Sequence, residues 1–388
     1  GTHEMIFVGK KLWMVTLDDT RPTKLAFGGD DRQGYGLDPT STTDATLLSG
    51  HQGKVNAVCW SGDGRWLASA SNDRTVRIWS GESLELVKEL TGFIGEVRAI
   101  DWSPDGSKLA VGVAQNDANA FSNSGGNVER GVVVFDVSDP RNASLMYEFA
   151  AHQATFAVAW HPDSGQLATA GMNRRNDGDR IRVWDVVSGR QVNQVSLPFE
   201  NVYALDWSSD GMRLAAGTND GVNNGHVKVV DMTDSSVLLD LLGQVSVFSV
   251  SFNASASRLV AAGKDQTVKI WDIESGAELL SLSASSSSVF SAAWSPDETK
   301  IAAIGAELIL YDAYDGFLQE LSPSLLDALG EEIEDGTGGV AARESRAEIF
   351  SLLNQWDDAE SDLKAVGESP DSQQSWFIMP WRIRGPFD

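Results

Sequence analysis

The sequence predicts an all-β fold of seven four-stranded antiparallel blades, and three observations carry the prediction. A short apolar strand ending in an aromatic recurs along the chain, with anchors at Trp60, Trp102, Trp160, Trp207, Phe252 and Trp294 spaced 42, 58, 47, 45 and 42 residues apart. Such a period marks a repeat architecture, in which each unit buries its apolar face only against its neighbours. A weaker copy precedes these, with Leu17 in the anchor slot, Leu25-Ala26 in the second strand and Leu37-Asp38 closing the third. Residues 5–321 therefore divide into seven units of about 45 residues, enough for one four-stranded sheet each. One continuous sheet of that size would leave long open edges, whereas a radial arrangement, a seven-bladed β-propeller, protects them.

Blade two shows the elements in order. Val55 to Trp60 is the first strand, followed by the turn Ser61-Gly62-Asp63-Gly64, a second strand Trp66 to Ser71, the turn Asn72-Asp73-Arg74, a third strand Thr75 to Trp79 and a fourth from Glu85 to Leu90. Runs of four to six residues rich in Val, Ile, Trp and Thr, bounded by Gly, Asp, Asn and Ser, are antiparallel strands joined by hairpins. No helical periodicity competes before about residue 322. For ring closure, either Met5–Val8 or Phe317–Leu321 is expected to complete the seventh blade, which removes its open edge.

Gly50-His51, Ser103-Pro104-Asp105-Gly106, Ser295-Pro296-Asp297, Trp184-Asp185 and Trp271-Asp272 together resemble the WD-repeat β-propeller family over roughly residues 5–321. The resemblance implies a buried hydrogen-bonded set within a blade. His51, Ser69, Asp73 and Trp79 match it in blade two, although the closing dipeptide there is Trp79-Ser80. Blade four offers His152, Thr169 and Trp184, with either Asp177 or Asp179 in the acidic slot. The other blades lack the His, so their sets are incomplete.

A chain of 388 residues with 42% apolar content can bury a large core, and no apolar run is long enough to span a membrane. Gly1–Glu4 read as a cloning remnant or processed end with Met5 as the native start, and no secretory leader is visible. Cys59 is the lone cysteine and cannot form an internal disulfide, which predicts a reduced, intracellular and most simply cytoplasmic protein. The sequons at Asn142 and Asn253 are read as chance. A net charge of −25 repels phosphate backbones and anionic head groups, so nucleic acid and membrane are disfavoured and protein partners, with a basic or peptide-like docking segment, are expected.

The composition changes at Ser322. Residues 322–388 carry 14 acidic and 5 basic residues and form a second, partly helical segment. Ser322-Pro323 with Leu325, Leu326, Leu329 and Ile333 predicts a short helix, Gly336–Gly339 ends it, and a second helix fits Ala342 to Trp356. The final stretch, with Trp376, Phe377, Ile378, Met379, Trp381, Ile383 and Phe387, is too apolar to stay uncovered and is expected to dock on the propeller or on another subunit.

Motifs of catalysis are missing. The histidines (His3, His51, His152, His161 and His226) show no metal-ligand spacing, no Gly-x-Ser-x-Gly elbow occurs, and Gly263-Lys264 lacks the upstream glycine of a phosphate loop. The Asn/Asp-rich loops at 116–119 and 220–225 have oxygen donors for calcium but not the calcium-loop spacing, and turns require the same residues. No catalytic residue, cofactor or metal is expected.

Variation among the repeats carries the remaining information. Turns between the first and second strands stay short in every strong repeat, whereas those between the second and third are expanded in three consecutive blades, at Ala114–Arg130, Met172–Asp179 and Asn219–Gly225. These two kinds of turn lie at opposite ends of an antiparallel blade, so the expansion marks one face, and insertions in repeat proteins gather on the binding face. Four residues before each anchor, at the start of the innermost strand on that face, stand Trp13, Asn56, Arg98, Phe156, Tyr203, Phe248 and Phe290. These rings either collar the channel mouth or fill the wedges between blades. Trp13, Arg98, Phe156, Tyr203, Phe248 and Phe290, with Arg174 and Arg175 from the expanded loop of blade four, are the candidate partner-binding residues.

The sequence thus reads as a non-catalytic interaction scaffold, a subunit of a larger assembly. A sensor module of a larger signalling NTPase or other multidomain protein, and an enzyme using the channel as its pocket, are the other readings.

Overall fold

A computed structural model describes residues 3–312 apart from 6–11, 19–20, 30–33, 38–45, 115–130, 150, 153, 173–178, 198–200, 220–224, 284–287, 296–297, 299 and 306–307. Its strands group into antiparallel four-stranded sheets, each opening on an inner strand and ending on an outer one. The inner strands are Leu12–Asp18, Val55–Trp60, Glu96–Trp102, Ala154–Trp160, Asn201–Trp207, Val247–Phe252 and Ser291–Trp294, in blades one to seven. Each lies beside the next, and the last lies beside the first, so the ring closes. Blades three and four share a further pairing, Ala114 with Ala154, that joins them into one sheet.

Closure comes from the chain's N-terminal side. His3–Met5 pairs antiparallel with Leu308–Leu310 and supplies the outer strand of blade seven. Of the expected Met5–Val8 strand Met5 takes part, and residues 6–8 and 317–321 lie outside the described residues. The helices expected at 322–335 and 342–356 and the aromatic tail also lie outside them.

The repeat phrase is explained by cross-strand pairing. Each anchor sits opposite the Leu or Ile of the second strand: Leu17 with Leu25, Trp60 with Leu67, Trp102 with Leu109, Trp160 with Leu167, Trp207 with Leu214, Phe252 with Leu259 and Trp294 with Ile301. Facing apolar pairs of this kind are the unit of sheet stabilisation. The apolar core is divided into wedges between blades, and each anchor from Trp60 to Trp294 packs into the blade before its own. Trp102 clusters with Ala68, Val76 and Ile78 of blade two, Trp207 with Ile181 and Val183 of blade four, and Phe252 with Val227 and Val229 of blade five.

The short turns after the inner strands need a residue with positive φ, supplied by Gly64, Gly106 and Gly211 at 65°, 70° and 69°. Ser164 and Glu298 take the same backbone at 62° and 59°. A non-glycine residue is strained there. Both link blades: Ser164 Oγ accepts the Asp105 N–H at 3.0 Å, and the Glu298 carboxylate accepts from Ser255 N–H and Asn253 Nδ2.

Candidate functional site

The inner strands of blades one to six carry the same irregularity near their start. The ladder steps from Val55 to Ala57, Val97 to Ala99, Thr155 to Ala157, Val202 to Ala204 and Val247 to Ser249, leaving Asn56, Arg98, Phe156, Tyr203 and Phe248 as the extra residue. Trp13 holds the same place in blade one, between Leu12 and Met14, and its side chain lies outside the described structure. In blade seven, Phe290 stands just ahead of the first paired residue, its N–H donating to Ile304 O at 2.8 Å. A bulge bends its strand and re-aims the extra side chain. Strict alternation would put a residue four before the anchor on the anchor's own face, inside a wedge. The bulge breaks that alternation.

Accordingly, Phe156, Tyr203, Phe248 and Phe290 are each half-buried and belong to none of the described interblade clusters. Phe156 and Tyr203 stack at 5.3 Å between centroids, Tyr203 and Phe248 meet edge to face at 6.2 Å and 84°, and Phe248 and Phe290 stack at 5.6 Å. With Lys54, Asn56 and Arg98 they line one concavity of about 300 Å3. Offset-stacked and edge-to-face pairs hold rings in place while leaving their outer faces open.

The opposite side of the mouth is polar. Asn56 Nδ2 donates to Asn72 Oδ1 at 2.6 Å and to Val97 O at 2.7 Å, so both its hydrogens are used, one within blade two and one tying blade two to blade three. Arg98 Nη2 donates to Glu96 Oε2, while Arg98 Nε is buried with no acceptor among the described residues. The expanded turns leave from this same end: Ala114 pairs with Glu96, Met172 with Ala154 and Asn219 with Asn201. Arg174 and Arg175 fall within one of those turns and outside the described residues.

The hydrogen-bonded residues of blade two meet in one network. His51 Nδ1 lies 2.9 Å from Asp73 Oδ2, His51 Nε2 lies 2.8 Å from Ser69 Oγ, and Trp79 Nε1 donates to Ser69 Oγ at 2.9 Å. Burial holds the His51 imidazole below its ordinary pKa, against the pull of Asp73. Burial opposes ionisation of Asp73, but hydrogen bonds from Thr75, the Gln52 N–H and His51 outweigh it and hold the carboxyl low. In blade four His152 Nε2 lies 3.2 Å from Thr169 Oγ1, and Trp184 Nε1 donates to that oxygen at 3.0 Å. Asp177 and the side chain of Asp179 lie outside the described structure.

The family model "WD domain, G-beta repeat" matches residues 42–80, 84–119, 143–185, 192–231 and 236–272, together half of the chain. The chain belongs to the WD40-repeat family. WD repeat-containing protein VIP3 of Arabidopsis thaliana is 25% identical over 236 residues, covering 56% of this chain and 66% of VIP3. WD repeat-containing protein SL1-17 of Schistosoma mansoni is 31% identical, covering 31% of this chain and 38% of its own length. Protein groucho of Drosophila melanogaster is 28% identical, covering 42% of this chain and 21% of groucho. The chain therefore spans from about a fifth to just under two thirds of these relatives. Members of the family are in general scaffolds for protein interaction. The matched repeats supply blades two to six; blades one and seven are added by the sheets themselves.

Two carboxylates that tie the WD40 ring together escape the sequence reading. Asp101 Oδ2 accepts the Trp160 N–H at 2.8 Å, and Asp206 Oδ2 accepts the Phe252 N–H at 2.6 Å, each reaching the anchor of the next blade. Their signal was available: an acid directly before the anchor, in Asp101-Trp102 and Asp206-Trp207.

Proposed function

We propose that this WD40-repeat chain is a non-catalytic interaction platform that takes a peptide or loop of a partner protein at the aromatic collar. One observation carries the reading: three aromatic rings set at a repeated bulge, and Phe290 just ahead of the last inner strand, form a continuous arc at the end where the expanded turns leave. Rigid rings give large contact area at low entropic cost, and such anchors dominate binding energy. The collar binds; the closed ring holds it in place.

The test is comparative capture. Proteins retained from a cell extract by the wild-type chain are expected to be lost on Tyr203→Ala and retained on Met212→Ala, a change in an exposed turn at the opposite end. Equal capture by both variants contradicts the reading.

A further inference from the structure

Resting on that reading of the collar, we infer that its occupant is an acidic peptide, in which a Glu or Asp carboxylate meets Arg98 while a neighbouring aromatic or large aliphatic side chain lies on Tyr203 and Phe248. The first support is charge. The chain carries 55 acidic and 30 basic residues, yet the charged residues in the described lining of the mouth are Lys54 and Arg98, with one carboxylate, Glu96, bonded to Arg98. The acidic coat as a whole favours a basic partner, whereas the mouth is locally complementary to an anion.

The second support is the state of Arg98. Its Nε–H and Nη2–H point along one edge of the guanidinium, a fork whose spacing matches two oxygens. Glu96 takes the Nη2 prong through Oε2, and the buried Nε–H has no acceptor among the described residues. A buried donor without an acceptor is costly, and an incoming carboxylate oxygen satisfies it once the guanidinium edge turns toward the mouth. Glu96 does not fill the fork, so the guanidinium is neither a closed ion pair nor a solvated surface charge.

The third support is what the charge alone lacks. Arg98 remains 34% exposed, so an ion pair there is screened and weak without apolar contact beside it. Tyr203 and Phe248, at 84° to one another, form a corner that receives one large side chain. A basic peptide is the competing occupant, since a cation can lie on aromatic faces, but it would also face Arg98 and Lys54.

Selection of random displayed twelve-residue peptides on the immobilised full chain tests this. The enriched peptides are expected to carry Asp or Glu within a few residues of Phe, Trp or Leu. Replacing that acid by its amide and making Arg98→Gln should each cost about tenfold in affinity, with no further loss when both are combined. Arg98→Lys keeps the charge but not the fork and should restore only part of the binding. Enriched peptides that are basic, that ignore Arg98→Gln, or the absence of any enriched family overturns the inference. Peptides without an acid that still lose binding on Phe248→Ala leave the collar reading standing and remove only the acidic one. Acidic peptides indifferent to Phe248→Ala remove the collar reading as well.

Discussion

The Asp206 carboxylate accepts the backbone N–H of Phe252 at 2.6 Å, so an ionisable group carries one of the links between blades five and six. Burial pushes its carboxyl up to about 7, against the pull of the Phe252 and Trp207 N–H groups. A raised folded-state pKa means that the native ring keeps a proton which the unfolded chain releases near its ordinary value of 3.8. The contribution is complete below that value and is lost as pH rises through about 7. Asp206→Asn keeps an acceptor and removes the ionisation, so it should be more stable than wild type at pH 8 by about 1–3 kcal/mol, allowing for the residue's partial exposure, and near wild type at pH 4. Thermal melts across that range check the slope; parallel curves for the two proteins would refute it.

Ser69 Oγ is shared by His51 Nε2 and Trp79 Nε1, all three buried. Ser69→Ala leaves both partners without their bond and should destabilise the protein by about 2–4 kcal/mol in urea denaturation. Ser83→Ala, which removes only an exposed turn contact to Glu85 N, should cost less than about 0.5 kcal/mol.

Deleting residues 1–5 removes the strand that pairs with Leu308–Leu310 and opens blade seven. The melting temperature should fall by about 3 °C or more, with a greater tendency to self-associate through the uncovered edge. An unchanged melt would show that the pairing adds nothing to the ring.

The blades were legible because their signals are local. Anchor, tight turn and Leu-Ala strand lie within a dozen residues, and the structure pairs Trp60 with Leu67 and Trp207 with Leu214 as that phrase requires. The position of the collar was legible from the same registration, but its exposure was not. Counting in twos from Trp160 puts Phe156 on the buried face, and the bulge that overrides the count is a property of the ladder between two strands. Asp101 and Asp206 were missed because their acceptors act on the neighbouring blade, 59 and 46 positions along the chain, where no local pattern reaches.

The central claim is that the collar rings bind while the anchor rings hold the fold, and paired measurement of affinity and stability on the same variants tests it most directly. With a peptide selected on the wild-type chain as probe, Phe248→Ala should lose about thirtyfold in affinity while its melting temperature moves by less than about 2 °C. Trp207→Ala should destabilise by about 3–5 kcal/mol and leave binding per folded molecule unchanged. If Phe248→Ala instead melts like the Trp207 variant and binds normally while folded, the rings are core filler and the account is wrong.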